Sequence, residues 1–191
     1  GINTIKNPGD IYSLGKKQKK ITSHYDYIEK EFNLPTQKVF SWNGEDGVRV
    51  EGILYLPHNF QESKKYPLVV QTHGGPRSSD KFGFSRSATR YNAVLTGKGY
   101  IVLQPNYRGS TGYGDDFLRD MVGSYFNQSH LDVMTGVDYL IDKGIADPDK
   151  LIKMGWSAGG HMTNKIITHT DRFKAASSGA GAVNWIGMYA Q

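Results

Sequence analysis

The fold is decided by one short stretch of the chain, Gly155-Trp156-Ser157-Ala158-Gly159-Gly160. A strand-like run, Leu151 to Met154, precedes this stretch, and a helical pattern from about Ala158 to His169 follows it. A serine flanked by glycines between a strand and a helix is typical of a sharp turn that lifts a nucleophilic hydroxyl above a sheet. The sequence therefore predicts that Ser157 is an exposed nucleophile.

The small residues around Ser157 have a steric purpose in this interpretation. Gly155 and Gly159 are needed where the strand and the helix pass close together, because a side chain there would collide with backbone. The turn also points the first amides of the helix at the position where an oxyanion would develop, and the amide of Ala158 is the first donor. The alternative is a glycine-rich turn whose serine only caps the helix.

A second site-like element lies directly after a continuous apolar run, Tyr66 to Thr72, of the kind found in buried strands. It reads His73-Gly74-Gly75-Pro76, and glycines suit a loop whose backbone must approach a substrate closely. One of Gly74 or Gly75 is expected to supply the second oxyanion amide, and we favour Gly75. His73 is interpreted either as a catalytic base or, as we favour, as a satisfied polar group that shapes the loop.

Strand and helix patterns alternate after Thr36, which predicts an α/β fold with a mainly parallel sheet covered by helices on both faces. The predicted strands are Gln37 to Trp42 and Val48 to Leu56, joined as a hairpin through residues 43–47, then Tyr66 to Thr72, Tyr100 to Gln104, Leu151 to Met154 and Phe173 to Ser178. The predicted helices run from Ser87 to Thr96, from Ser129 to Gly144 and from Ala158 to His169. Ser129 and Asp132 have the spacing of a capping box at the start of the second helix.

The first 32 residues have a different character. Gly1 to Leu14 and Lys20 to Ile28 are predicted to be short strands with polar connections, and no helical pattern links them to the later hairpin. We expect residues 1–32 to be the remnant of a neighbouring all-β unit and residues 33–191 to be the main α/β domain.

Composition excludes several classes of function. The chain of 191 residues has no cysteine, so a disulfide framework, a thiolate zinc site and a cysteine nucleophile are all excluded. It has neither an apolar stretch of membrane-spanning length nor a leader pattern at its start, and its compartment is left open. The formal net charge of +5 includes four lysines between positions 16 and 20, which we interpret as a solvated turn rather than a nucleic-acid surface.

A glycine-rich loop, NYRGSTGYG at 106–114, supports a rival hypothesis, since such a loop can cradle a phosphate at a helix start. Its spacing fits neither G-x-G-x-x-G nor G-x-x-x-x-G-K-[ST]. Nucleotide binding is therefore rejected.

HGGP at 73–76, NYRGSTGYG at 106–114 and GWSAGG at 155–160 occur in this order and near the separations of a known family. With them, the chain from about residue 36 to residue 191 resembles the prolyl oligopeptidase family of serine peptidases. GVRVEGILYLP at 47–57 is also similar to the entry into that family's catalytic domain. A histidine at position 73 is more similar to the acylaminoacyl-peptidase and dipeptidyl-peptidase-like members than to members with a tyrosine there.

This resemblance implies an α/β-hydrolase fold preceded by the last strands of a β-propeller, which would be residues 1–32. It implies that backbone amides hold the oxyanion, because the tyrosine hydroxyl of other members is absent. It also implies that Trp185 lines the pocket for the residue before the scissile bond, with Met188 and Tyr189 completing the wall. An aromatic core residue under a loop is an equal alternative for Trp185.

Activation of a serine requires a histidine base and a carboxylate that orients it, in the chain order Ser, Asp, His for this fold. After Ser157 the chain contains His161, His169 and Asp171, which we place along or beyond the helix that leads away from the turn. We therefore expect the triad Asp and His to lie beyond the end of this chain, the α/β-hydrolase fold to be incomplete at its C-terminal end, and this segment alone to be inactive.

The predicted function is a serine peptidase that cleaves short peptides through an acyl-enzyme on Ser157, without a metal or a cofactor. The alternatives are a carboxylesterase of the same fold and a non-catalytic binding relative. Short peptides are the expected partners, nucleic acid and membrane are not expected, and homo-oligomer formation is left open.

Overall fold

The structure of the chain is a computed structural model that describes residues 2–84 and 90–189. The strands are β1 (Tyr12–Leu14), β2 (Gln18–Lys20), β3 (Thr36–Asn43), β4 (Arg49–Leu56), β5 (Tyr66–Thr72), β6 (Ile101–Asn106), β7 (Ala146–Trp156) and β8 (Phe173–Gly179). The helices are α1 (Asp26–Glu31), α2 (Asn92–Gly97), α3 (Asp115–Arg119), α4 (Ser129–Asp142), α5 (Ala158–Ile167) and α6 (Trp185–Tyr189). Strands and helices alternate from β5 onward, so the predicted α/β class is confirmed.

The main sheet is mixed and has the order β3-β4-β6-β5-β7-β8 in the described part of the chain. The pairs β3–β4 and β4–β6 are antiparallel, whereas β6, β5, β7 and β8 run parallel to one another. Because β5 and β7 are parallel neighbours, their carboxyl ends meet at the same edge, where Thr72 is paired with Gly155. This register brings the residues after Thr72 beside the turn at Ser157.

Apolar side chains cover both faces of this sheet. The larger cluster packs sheet residues such as Leu68 and Leu103 against Val133 and Val137 of α4 and against Met162 of α5. The smaller cluster lies on the opposite face, where Val69 and Val102 pack with Leu95 of α2. The alternation of neighbouring sheet residues between two clusters is what a sheet buried on both faces requires.

Most predicted elements after residue 35 are confirmed with shifts of their ends, the largest being in β7, which begins at Ala146 instead of Leu151. The hairpin pairs Thr36 with Leu56 through to Asn43 with Arg49, and β5 has the predicted bounds. Of the helix predicted from Ser87 to Thr96, residues 87–89 lie outside the described residues, and α2 occupies Asn92–Gly97. The short helices α3 and α6 were not predicted.

The strand predictions in the first 32 residues are largely wrong. Within residues 2–32 the only strands are β1 and β2, and the segment predicted as a strand from Lys20 to Ile28 contains the start of α1 instead. The buried carboxylate of Asp10 accepts hydrogen bonds from the Thr22 hydroxyl at 2.6 Å and from the His24 amide at 3.2 Å, which turns the chain away from a strand. Asp26 and Glu29 then favour a helix start, because acidic side chains interact well with exposed amides.

Candidate active site

The turn at Ser157 has the predicted strained geometry. Ser157 joins β7 to α5 with φ of 59° and ψ of −123°, a conformation that non-glycine residues rarely adopt. A Cβ added to Gly155 would lie 2.2 Å from the Gly159 carbonyl oxygen, and one added to Gly159 would lie 2.1 Å from the Thr72 carbonyl oxygen. Both positions therefore require glycine for the close approach of backbone.

The interpretation of Ser157 as a mere helix cap is wrong. Ser157 occupies the N-cap position of α5, but its side chain makes no capping hydrogen bond, and the residue is exposed. Its backbone is held instead, since its amide donates to the Gly179 carbonyl at 2.8 Å and its carbonyl accepts from the His161 amide at 3.0 Å. The backbone is fixed while the hydroxyl is left accessible, as a nucleophile requires.

The HGGP turn lies against Ser157. A Cβ added to Gly74 would be 3.1 Å from Ser157 Cβ and 3.7 Å from Ser157 Oγ, so only a glycine leaves room beside the hydroxyl. Gly75 has φ of 128°, a backbone conformation open to glycine. The first turn of α5, which begins with Ala158, borders the same hydroxyl. The structure thus places Gly74 and the start of α5 beside the hydroxyl of Ser157. The oxyanion roles of Ala158, Gly74 and Gly75 stay predictions.

His73 is a satisfied polar group of this loop. His73 is 2% exposed, its Nδ1–H donates to the Gly74 carbonyl at 2.9 Å, and its Nε2 lies 2.9 Å from Ser110 Oγ. It also stacks on the ring of Tyr107 with centroids 4.6 Å apart. Both ring nitrogens are engaged, which supports the favoured interpretation over a catalytic base.

The buried ring of His73 makes stability depend on pH. Burial lowers the pKa of His73 below its ordinary value, so the folded state disfavours the proton that the unfolded ring takes up at about pH 6.5. The contribution of neutral His73 is fully present above that pH and is lost as the pH falls from it toward the lowered pKa of the folded state. Denaturant titrations between pH 7.5 and 5.5 should therefore show a smaller loss of stability for His73→Gln than for the wild type. The exposed His58→Gln is the control, and equal pH dependence of His73→Gln and wild type would contradict the prediction.

The loop NYRGSTGYG braces the HGGP turn. The hydroxyl of Tyr107, which is fully buried, donates to the His73 carbonyl at 2.7 Å. Asn106 holds the chain that follows the turn, because its side chain accepts from the Asp80 amide at 2.7 Å and donates to the Asp80 carbonyl at 3.0 Å. The sequence indicated the position of this loop but not its bracing contacts, which depend on pairing between distant segments.

The same loop supplies a buried ion pair that sequence reasoning missed. Arg108 donates from Nε and Nη2 to the fully buried carboxylate of Asp132, at 2.9 Å and 2.6 Å, and from Nη1 to Asp46 at 2.5 Å. The predicted capping box is therefore wrong: the carboxylate of Asp132 faces Arg108, and α4 begins without a side-chain cap. The sequence signal was ambiguous because a capping acid and an ion-pairing acid look alike in this spacing.

Asp132→Asn is expected to lower the free energy of unfolding by about 3 kcal/mol. Breaking a buried ion pair on one side leaves a buried charge poorly compensated, in this case the guanidinium of Arg108, which keeps only the half-exposed Asp46 as a close partner. Chemical denaturation monitored by tryptophan fluorescence measures the change. Asp138→Asn is the matched control on the same helix, because Asp138 is half exposed and its pair with Arg172 should contribute less than about 1 kcal/mol. Equal losses in the two variants would refute the assignment.

The two histidines that follow Ser157 donate hydrogen bonds to other groups. His161 Nδ1–H donates to the Ala182 carbonyl, and His169 Nδ1–H donates to the Lys165 carbonyl at 2.7 Å. In the part of the chain that the structure describes, no histidine is hydrogen-bonded to the hydroxyl of Ser157.

The residues assigned to the substrate pocket lie on α6. Trp185 is 49% exposed and makes edge contacts with Tyr125 and His161, at centroid distances of 5.1 Å and 5.4 Å. Met188 and Tyr189 are also exposed.

Among the described residues, no group of three or more side chains that could hold a metal ion is present, and no helix combines the length and apolar character needed to cross a membrane.

Comparison with known proteins identifies the family. A model of the prolyl oligopeptidase family matches residues 87–191. The chain is 36% identical over 185 residues to the uncharacterized peptidase YuxL of Bacillus subtilis, which covers 95% of this chain and 28% of that protein. It is 38% identical over 141 residues to the acylamino-acid-releasing enzyme of Arabidopsis thaliana, which covers 73% of this chain and 18% of that enzyme.

Solved structures show the same relationship. The Pyrococcus horikoshii acylaminoacyl peptidase superposes with a TM-score of 0.87 at 27% identity, over 98% of this chain and 30% of that one. A puromycin-hydrolyzing peptidase of Mycobacterium tuberculosis superposes with a TM-score of 0.80 at 27% identity, over 92% of this chain and 27% of that one. The chain spans less than a third of the length of these relatives. These matches confirm the mixed-sheet α/β-hydrolase fold and the resemblance drawn from the three motifs, and the chain belongs to the prolyl oligopeptidase family.

Proposed function

We propose that this chain supplies the nucleophile and the oxyanion hole of a serine peptidase that cleaves short peptides. The observation that carries the proposal is the backbone of Ser157, which is held at φ of 59° with its hydroxyl exposed beside Gly74. A non-glycine residue adopts such a conformation only where its surroundings impose it, and such strain is concentrated at functional sites. The histidine base and its carboxylate partner come from outside these 191 residues.

In the proposed reaction, Ser157 Oγ attacks the peptide carbonyl carbon while the histidine base accepts the hydroxyl proton. The resulting oxyanion accepts hydrogen bonds from the amides of Ala158 and Gly75, with Gly74 as the alternative second donor. Each donor contributes about 3 kcal/mol to stabilisation of the transition state. The C–N bond then breaks, the amine leaves with the proton, and water hydrolyses the Ser157 ester.

Short peptides are proposed as substrates because the relatives of this chain include the acylamino-acid-releasing enzyme of Arabidopsis thaliana and the dipeptidyl peptidase family member 6 of Caenorhabditis elegans, to which the chain is 32% identical over 185 residues. Trp185 is proposed to line the pocket for the residue before the scissile bond, and Met188 and Tyr189 to complete the wall. Their exposure supports this role over burial in the core. Residues 1–32 are proposed to be the end of a β-propeller that would restrict access to short chains.

A carboxylesterase is the second candidate, because the fold and the turn at Ser157 do not choose between amide and ester substrates. The family match favours the peptidase. A peptidase hydrolyses both ester and amide forms of one substrate, whereas an esterase hydrolyses only the ester at a comparable rate.

The test is mass-spectrometric mapping of a fluorophosphonate adduct on the full-length protein, with Ser157→Ala as the control. The expected result is a single adduct on Ser157, together with hydrolysis of an acylated or free dipeptide amide. An unlabelled protein of native fold would overturn the enzyme proposal and leave a binding relative. Labelling with hydrolysis of esters alone would select the carboxylesterase.

A further inference from the structure

Lys153 is a fully buried lysine that the proposed reaction does not use. It lies on β7 four residues before Ser157, with no exposed surface. Its Nζ donates to Thr72 Oγ1 at 2.7 Å, to the Met154 carbonyl at 2.9 Å and to Thr163 Oγ1 at 3.0 Å. Three acceptors surround a group that has three N–H donors when charged.

The two threonines connect Lys153 to a single backbone atom. The hydroxyl of Thr72 and the hydroxyl of Thr163 each donate to the Gly159 carbonyl at 2.9 Å. Each hydroxyl thus accepts from Lys153 and gives its one proton to Gly159. Every proton in the network has an acceptor, which is the condition for a buried polar network to hold one geometry.

Stability alone does not explain a lysine at this position. No carboxylate is hydrogen-bonded or ion-paired to Nζ within the described residues, and burial lowers the pKa of Lys153 well below its ordinary value. An apolar side chain would avoid this desolvation cost, and exchange of a buried charged group for a well-packed apolar one is often neutral or stabilising. The network therefore calls for a reason other than stability.

The place of the network suggests that reason. Thr72 is the last residue of β5 and directly precedes the HGGP turn, which is proposed to give one oxyanion amide. Gly159 directly follows Ala158, which is proposed to give the other. These two segments are more than 80 residues apart in the chain and approach one another at the Thr72–Gly159 contact.

We propose that Lys153 is a positioning residue that fixes the spacing between the two halves of the oxyanion hole, by joining the end of β5 to the first turns of α5. This inference rests on the proposed function of Ser157. Without Nζ, the two hydroxyls keep their bonds to Gly159, but the ends of β5 and α5 no longer share a common donor. Catalysis is sensitive to such a loss because a misplacement of about 1 Å can cost 10²-fold in rate.

The first test compares Lys153→Met with the control Lys150→Met in the full-length protein. Met retains the length of the side chain and removes the donors, and Lys150 is an exposed lysine of the same strand. We expect Lys153→Met to lower kcat about tenfold with KM within about twofold, and to weaken a peptide-aldehyde inhibitor by a similar factor, because donors positioned for the transition state act there alone. Lys150→Met should match the wild type.

Assays run well below the Tm separate an effect of Lys153 on the position of the oxyanion donors from an effect on stability. A change of Tm with kcat and inhibitor affinity unchanged would overturn the inference, because a merely structural lysine would give that result. If the wild type itself acquires no adduct on Ser157, the proposed function fails and the inference fails with it. If the wild type is active and Lys153→Met has the same rates, the inference is overturned while the proposed function stands.

A second pair of variants decides the matter if Lys153→Met does not fold. Thr163→Val removes one hydroxyl of the network at nearly constant volume, and Thr163→Ser restores it. We expect kcat to fall at least threefold in the valine variant and to return to within about twofold of wild type in the serine variant. Equal kcat in all three proteins would overturn the inference.

Discussion

Ser157→Ala is expected to reduce kcat by about 10⁶-fold, because removal of a catalytic serine eliminates the covalent route and leaves only the contribution of binding and the oxyanion hole. The side chain of Ser157 makes no hydrogen bond that supports α5. The Tm should therefore be nearly unchanged. Steady-state hydrolysis of a peptide amide and thermal unfolding of the full-length protein measure the two quantities.

Ser63→Ala is the matched control for this experiment. Ser63 is an exposed serine in the connection between β4 and β5, remote from the turn. It should retain wild-type kcat. A Ser157→Ala protein with more than about a tenth of the wild-type rate would show that another residue is the nucleophile.

Gly159→Ala is expected to lower kcat/KM by about 10³-fold. The added methyl would lie 2.1 Å from the Thr72 carbonyl oxygen and 2.8 Å from the His73 carbonyl oxygen, both of which are backbone atoms that cannot rotate away. Helix α5 must retreat from β5, and the Ala158 amide moves with it. Loss of one oxyanion donor costs 10²–10³ in rate, and the displaced nucleophile adds to that loss.

Gly97→Ala is the control for this second substitution. Gly97 ends α2, and a methyl group there would meet nothing within 4 Å. The rate of fluorophosphonate labelling at Ser157 should be unaffected in Gly97→Ala and strongly reduced in Gly159→Ala. Labelling of Gly159→Ala within tenfold of wild type would contradict the proposed close packing.

The parts of the fold that were predictable are those with strong local signals. The continuous apolar run of β5, the turn-forming residues between β3 and β4, and the glycines around Ser157 each restrict the backbone to one choice. The order of strands in the sheet was not predicted from these patterns. β6 lies between β4 and β5, an arrangement that depends on packing between segments distant in the chain.

The site residues that could be predicted are those whose residue type indicates both a chemical role and a particular backbone geometry. Ser157 and Gly74 are such positions, and the structure places them against one another. The oxyanion roles of Ala158 and Gly75 stay predictions. Lys153 gave no signal, because a lysine in a strand pattern is normally read as a residue facing solvent. Its burial depends on the hydroxyls of Thr72 and Thr163, which become its neighbours only in the folded chain.

The Arg108 ion pairs have a consequence for the order of folding. Arg108 lies 62 residues from Asp46 and 24 residues from Asp132, so the guanidinium joins the hairpin, the central loop and α4 across a long stretch of chain. Closing loops of this length costs entropy before any contact repays it. During synthesis the hairpin tip at Asp46 therefore has no partner for this ion pair until Arg108 is made, and Asp132 follows 24 residues later. Because one guanidinium contacts both carboxylates, docking of the hairpin edge and docking of α4 are coupled through Arg108.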